Sequence, residues 1–152
     1  MSHADTPETP AAVPVGTLMA GKRGVVMGVA NDRSIAWGIA QSVAAQGAEL
    51  CFTYQGEALE KRVRPLAEQI GSRLVLPCDV TDDASVDAVF EQVKAEWGGL
   101  DFLVHAIGFA DKQFLRGRYM DTPRDAFLQA MDISVYSFVS VAQRAVPLMK
   151  PG

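Results

Sequence analysis

Short apolar runs alternate with longer amphipathic segments over most of this chain. The apolar runs predict four strands, at about 24–27, 49–54, 73–76 and 101–106. The segments between and after them predict helices at about 34–46, 57–70, 81–97 and 122–146. Because strands that alternate with helices form a parallel sheet covered on both faces, the pattern predicts a doubly wound α/β fold with four βα units.

Residues 1–20 lack this alternation. They contain prolines at positions 7, 10 and 14 and few large apolar side chains. Such a segment buries too little apolar surface to offset the entropy of ordering it, which predicts a disordered N-terminal extension. The remaining residues, 21–152, predict one domain.

Composition and charge narrow the class of partner. The formal net charge of −4 and the pI near 5.1 argue against nucleic acid or an anionic membrane surface as the main partner. No apolar run approaches the roughly 20 residues of a membrane-spanning helix. Cys51 and Cys78 fall in predicted strand regions and are interpreted as buried free thiols, which fits a reducing cytoplasm.

The loop after the first strand predicts a phosphate-binding turn. From Gly28 through Ser34 to Gly38 the sequence has the pattern G-x5-S-x-A-x-G. Unpaired N–H groups and partial positive charge at a helix N-terminus favour an anion, and Ser34 can cap the helix while donating to a phosphate oxygen. The glycines alone also fit a plain connection, but the position after the first strand favours a Rossmann-type dinucleotide turn.

The end of the second strand bears on the choice of cofactor. Gln55 and Glu57 stand there, and no basic residue follows until Lys61. A neutral amide can bond to ribose hydroxyls, whereas a 2′-phosphate needs a nearby cation and would be repelled by Glu57. We therefore expect NADH rather than NADPH.

Polar or small residues also follow the third and fourth strands. Asp79 could accept a hydrogen bond from the adenine amino group while the N–H of Val80 meets a ring nitrogen; a simple turn aspartate is the alternative. Ile107 and Gly108 permit backbone close to a ribose and leave room beside a nicotinamide. His105 lies within the fourth strand and is interpreted as a structural histidine.

Five segments carry a family resemblance: GVANDRSIAWGIA, AELCFTYQGE, LPCDVTDD, DFLVHAIGFA and MDISVYSFV. From about residue 20 to residue 152, the sequence resembles the NADH-dependent enoyl-acyl carrier protein reductases of bacterial fatty-acid synthesis. These form a divergent branch of the short-chain dehydrogenase/reductases. The pairing of G-x5-S-x-A-x-G with H-x-I-G-F is specific to this branch, because mainstream members carry T-G-x3-G-x-G and N-N-A-G at those places.

The resemblance implies roles for particular residues. The residues expected to bind the cofactor, NADH/NAD, stand at the strand ends: Gly28, Ser34, Ile35, Gln55, Asp79, Val80, Ile107 and Gly108. Ala110 is expected to touch the acyl substrate. The implied substrate is an enoyl thioester on acyl carrier protein, the implied assembly is a homotetramer in the cytoplasm, and no metal is implied.

The family's chemistry is hydride transfer from NADH to the β-carbon of a trans-2-enoyl thioester, with a tyrosine and a lysine in a Tyr-x6-Lys signature. That signature is expected downstream of Gly152, so we name no catalytic residue. We expect the chain to be the N-terminal part of a longer enzyme, truncated after the fourth βα unit and inactive alone. Tyr54 and Lys61 share the spacing but lie in the adenosine half, on the order of 10 Å or more from the nicotinamide, given ~4.8 Å between strands.

Two alternatives remain open at this point. Another short-chain dehydrogenase, such as a ketoacyl reductase, would carry Tyr-x3-Lys after residue 152. A non-catalytic NAD-binding module would keep the binding site without the chemistry.

Overall fold

Four short strands pair in parallel within residues 12–150, which are the residues that the computed structural model describes. The strands are β1 (Arg23–Met27), β2 (Glu49–Tyr54), β3 (Leu74–Pro77) and β4 (Phe102–His105). The helices are α1 (Ile35–Ala45), α2 (Glu57–Gln69), α3 (Asp83–Trp97), α4 (Arg124–Met131) and α5 (Ser137–Ala145). The four predicted strands and the first three predicted helices are confirmed.

The strand order in the sheet is β3-β2-β1-β4, with every pair parallel. The chain moves outward from β1 to β2 and β3, and then crosses to the other side of β1 to form β4. The order therefore reverses between β1 and β4. In open α/β sheets, ligands bind outside the carboxyl ends of the strands at such a reversal, so this fold designates one place for a site.

Alternate residues of β1 enter two separate cores. Val25 and Met27 pack on one face of the sheet with side chains of α3 and α5, such as Phe90. Val26 packs on the other face with Trp37 of α1 and with side chains of α2. A strand buried on both sides needs apolar residues at successive positions, which is why residues 25–27 of β1 form a continuous apolar run. The prediction of helices on both faces is confirmed.

The structure corrects the single long helix predicted over residues 122–146. α4 ends at Met131, a π-helical turn occupies Asp132–Tyr136, and α5 continues from Ser137. Ser137 Oγ donates to the carbonyl of Ile133, four residues earlier, at 2.6 Å. Serine bonds of this kind compete for main-chain acceptors and bend helices, and hydrophobic periodicity does not register them.

The predicted N-terminal extension, residues 1–20, is described only from residue 12, so its first eleven residues lie outside the described part of the chain. Its last part is bonded to the end of α1. Gln46 Nε2 donates to the carbonyl of Pro14 at 2.8 Å, and Met19 N–H donates to the carbonyl of Gln46 at 2.9 Å. Residues 14–19 thus have a fixed place against the domain.

The polar connection after β4 holds two short 3-10 helices, Lys112–Phe114 and Tyr119–Asp121. Between residues 12 and 150, no helix has the length and apolar character needed to cross a bilayer.

We predict that neither cysteine reacts readily with iodoacetamide in the folded protein at neutral pH. Both thiols are unpaired and buried. Burial, aided by the neighbouring Cys78, raises the pKa of Cys51 to about 12, and burial together with Asp79 raises the pKa of Cys78 to about 11. Because the thiolate is the reactive form, both side chains stay protonated and slow to alkylate. Mass spectrometry should find both alkylated after unfolding, and rapid labelling of folded Cys51 would contradict the burial described here.

Candidate functional site

A cleft of about 470 Å³ opens at the carboxyl ends of the strands, beside the reversal between β1 and β4. Residues that follow all four strands line it, which is the arrangement the sequence predicts. Among the predicted site residues, its lining includes Gly28, Gln55, Asp79, Val80, Ile107 and Gly108. Ser34, Ile35 and Ala110 do not form part of the lining.

Gly28 allows the end of β1 to approach the end of β4. Its φ of +103° lies in the left-handed region that favours glycine. A Cβ atom at this position would overlap the carbonyl group of Ala106. The close approach places the loop after β1 directly against Ala106 and Ile107, at the floor of the cleft.

Ser34 occupies the N-cap position of α1, as the sequence predicts, but its hydroxyl does not cap the helix. Its Oγ instead accepts from the N–H of Ala30 at 2.9 Å and from the N–H of Asn31 at 3.1 Å. The expected side-chain cap is therefore wrong, because the preceding loop folds back and brings its own N–H groups to the hydroxyl. The hydroxyl proton remains able to donate, and the Ile35 side chain, at 80% exposure, points away from the core.

Three hydrogen bonds with two neighbours, Thr81 and Ser85, fix Asp79. Its Oδ1 accepts from Thr81 N–H at 2.9 Å and from Thr81 Oγ at 2.7 Å, and its own N–H donates to Ser85 Oγ at 2.9 Å. The bonds from Thr81 lower the pKa of the Asp79 carboxyl, so the group is ionised at neutral pH. The turn role kept open as an alternative is thus present at Oδ1.

The other oxygen of Asp79 faces the neighbouring strand end. Gln55 Nε2 donates to Asp79 Oδ2 at 3.4 Å, across the ends of β2 and β3. This bond is long, so either partner can exchange it for a ligand at little loss. The two residues predicted to recognise the adenosine half of the cofactor are therefore neighbours in the cleft.

Two basic residues of α2, the helix that follows Gln55, are paired with acids. Lys61 Nζ lies 2.7 Å from a carboxylate oxygen of Glu57. Arg64 lies 2.7 Å from Glu60 and stacks over the ring of Tyr54, with 5.9 Å from its guanidinium carbon to the ring centroid. Tyr54 and Lys61 thus have separate partners, Arg64 and Glu57 respectively.

His105 connects β4 to the π-helical turn. Its Nε2 lies 2.7 Å from Ser137 Oγ, whose proton is given to the carbonyl of Ile133. Nε2 must therefore carry the proton in this bond, and burial lowers the pKa of the imidazole, which favours the neutral ring. The ring also meets Phe138 edge-on at 5.5 Å between centroids. These contacts are those of a structural histidine.

Sequence reasoning missed several residues that shape the cleft. Gln129 of α4 and Ile133 of the π-helical turn line its wall. Ser134 Oγ accepts from Phe109 N–H at 3.0 Å and donates to the Phe109 carbonyl at 3.1 Å. The sequence shows Ser134 only as a polar position, together with Asp132, in a mainly apolar segment, which indicates a bond to backbone or water without naming a partner. Within residues 12–150, no group of three or more His, Cys, Asp or Glu side chains could hold a metal ion.

The model of one protein family, described as enoyl-(acyl carrier protein) reductase, matches residues 28–152. The chain belongs to this family. Two curated enoyl-[acyl-carrier-protein] reductases [NADH] of Rhizobium meliloti (strain 1021) are 63% and 59% identical to it over 135 residues. Each alignment covers 89% of this chain and 50% of the relative, so the chain spans about half the length of the curated relatives it matches.

Solved structures of reductases in this family share the fold. The enzyme of Anaplasma phagocytophilum in complex with NAD is 55% identical with a TM-score of 0.88, covering 93% of this chain and 54% of that one. The enzyme of Bacillus cereus with NADP+ and indole naphthyridinone is 50% identical with a TM-score of 0.84, covering 88% and 52%. The fold class and the resemblance drawn from five segments of sequence are confirmed. The roles of the individual residues stay predictions.

Proposed function

We propose that this chain provides the cofactor-binding part of an NADH-dependent enoyl-acyl carrier protein reductase of fatty-acid synthesis. The observation that carries the proposal is one cleft at the reversal of strand order. Gly28, the Gln55–Asp79 pair and the Ile107–Gly108 backbone all line it. The names of the Rhizobium meliloti relatives support the same activity.

Each part of the cleft has a task in this proposal. The first-turn N–H groups of α1, starting at Ile35, and the hydroxyl of Ser34 would bind the pyrophosphate. Gln55 would bind the adenine ribose, and Asp79 Oδ2 would accept from the adenine amino group while the Val80 N–H meets a ring nitrogen. The bonds from Thr81 support this role, because they leave Oδ2 as an ionised acceptor.

The nicotinamide half would lie beside the segment that follows β4. Ile107 and Gly108 line the cleft, and Gly108 carries no side chain to fill it. When bound, NADH supplies a hydride for the β-carbon of an enoyl thioester delivered on acyl carrier protein. Ala110 would contact the acyl chain of that substrate.

NADH is the proposed cofactor rather than NADPH. Gln55 is uncharged, and Lys61 and Arg64 are paired with Glu57 and Glu60 respectively. A 2′-phosphate would meet an amide and a nearby carboxylate instead of a cation. The Bacillus cereus structure with NADP+ makes the choice of cofactor worth measuring directly.

A homotetramer in the cytoplasm is the proposed assembly. Large apolar side chains are exposed along α4, the π-helical turn and α5: Phe127, Leu128, Met131, Val135, Phe138 and Val139. In the described part of the chain, β4 pairs on one side only, with β1. Exposed apolar surface of this extent is typical of a protein contact. Light scattering on the intact protein should give the mass of four subunits.

The activity is tested by titrating NADH into the intact protein and then adding crotonyl thioester. The proposal predicts saturable NADH binding followed by loss of NADH absorbance. Binding without consumption would support a non-catalytic NAD-binding module. Consumption with a ketoacyl thioester but not with the enoyl thioester would support a ketoacyl reductase.

A further inference from the structure

One serine fastens the segment after β4 to the helical layer. Ser134 Oγ accepts from the N–H of Phe109 at 3.0 Å and donates to the carbonyl of the same residue at 3.1 Å. A hydroxyl can donate and accept at once, so a single side chain binds both main-chain polar groups of Phe109. The peptide planes on both sides of Phe109 are therefore fixed together.

The turn that carries Ser134 is itself held from β4. His105 Nε2 donates to Ser137 Oγ at 2.7 Å, and Ser137 Oγ donates to the carbonyl of Ile133 at 2.6 Å. Ser134 lies between Ile133, in the π-helical turn, and Ser137, the first residue of α5. Single π-helical turns inside α-helices are often found at functional sites, and here the turn gives Ser134 a firm base.

The clamp adjoins the cleft through Phe109 and through Ile133, the residue before Ser134. Phe109 and Ile133 line it together with Ile107 and Gly108, and Ala110 follows directly. The position of the backbone over residues 108–110 therefore depends on the two bonds made by Ser134. Gln55 and Asp79 are not part of this clamp, since they stand at the ends of β2 and β3.

We propose that Ser134 is a positioning residue for the substrate side of the cleft. By holding the Phe109 backbone, it sets the path of residues 108–110 and thereby the seat of the acyl thioester next to the nicotinamide end. This role rests on the proposed reductase function. Its effect on the two ligands is unequal, because Ser134 holds the backbone that leads to Ala110, whereas Gln55 and Asp79, which are proposed to bind the adenosine half of the cofactor, do not depend on it.

The test is the Ser134→Ala variant of the intact protein. Loss of the two bonds should raise KM for crotonyl thioester by roughly fivefold, since each such bond contributes a factor of a few to an equilibrium. The Kd for NADH should change by less than about twofold. Ser134→Thr keeps a hydroxyl, so its KM for crotonyl thioester should lie close to the wild-type value. Ser42→Ala is the matched control, because Ser42 Oγ also bonds to main chain, donating to the Gly38 carbonyl at 2.9 Å, but within α1 and not at the clamp.

Amide hydrogen exchange checks the clamp without any turnover. The Phe109 amide should exchange slowly in the cofactor-free wild-type protein and faster in Ser134→Ala. In Ser42→Ala it should exchange as slowly as in the wild type. An unprotected Phe109 amide in the wild type would overturn the proposal. So would a Ser134→Ala variant in which NADH Kd and thioester KM rise by the same factor. If the wild type leaves enoyl thioester unreduced, the proposed function fails, and the exchange result still decides whether Ser134 holds Phe109.

Discussion

Replacing Gly28 with alanine should lower the free energy of unfolding by about 3 kcal/mol and abolish measurable NADH binding. Two separate penalties add at this position. The backbone has φ of +103°, where an L-residue loses roughly 1–2 kcal/mol relative to glycine. The new methyl group would also overlap the carbonyl of Ala106, and relief of such overpacking typically costs about 1–3 kcal/mol.

The overlap also explains the expected loss of binding. Ala106 can move away only by shifting the backbone that leads to Ile107 and Gly108, which line the cleft. The same shift would move the loop between Gly28 and Ser34, which is closed by the Ser34 hydroxyl. One methyl group therefore displaces two segments that meet at the cleft where the cofactor is proposed to bind, the loop after β1 and the segment after β4.

Gly38→Ala is the matched control for this experiment. Gly38 lies inside α1, and a Cβ there would meet no heavy atom within 4 Å. Alanine is favoured over glycine in a helix by about 0.5–1 kcal/mol, so this variant should be slightly more stable than the wild type. Urea unfolding and NADH titration of both variants check the prediction. A Gly28→Ala protein as stable as Gly38→Ala would show that the close approach to Ala106 is not a constraint.

The sheet and its two cores were predictable because they follow from local patterns. Val25, Val26 and Met27 form an uninterrupted apolar run, and such a run means burial on both faces when helices flank it. The position of the cleft also followed, because parallel strands end at one edge. The sequence predicts Gly28 and Asp79 at that edge of the sheet, and both line the cleft in the structure.

Contacts that depend on the path of a loop were not predictable. The sequence indicated Ser34 as a cap, but whether its hydroxyl meets the helix or Ala30 depends on how the loop folds back. The π-helical turn is a second case, since its bond from His105 to Ser137 joins residues 32 positions apart. The bonds from Thr81 to Asp79 span two residues, so the D-x-T spacing could have indicated them.

Replacing Gln55 with arginine should shift the preference of the intact protein from NADH toward NADPH by about tenfold. Gln55 lines the cleft at the end of β2, where the 2′-position of the adenine ribose is proposed to lie. A guanidinium there can form charge-assisted hydrogen bonds to a phosphate, each worth about 1.5–3 kcal/mol. Asp79, which now accepts from Gln55 at 3.4 Å, would attract the same guanidinium. Because of this competition, we expect the change in cofactor preference to correspond to the lower end of that energy range.

Gln69→Arg separates this local effect from a general effect of charge. Gln69 is the last residue of α2, and Glu57, just after Gln55, is the first. The control substitution therefore lies about 18 Å from the start of the helix, measured along its axis. The measurement is the ratio of Kd for NADPH to Kd for NADH in both variants and the wild type. Only Gln55→Arg should lower this Kd ratio. The decrease should be smaller at high salt, because the contact between the guanidinium and the phosphate is electrostatic. Two outcomes would contradict the assignment of Gln55 to the ribose: equal Kd ratios in the two variants, or a wild type that already prefers NADPH. In either case, something other than the charge at the end of β2 would select the cofactor.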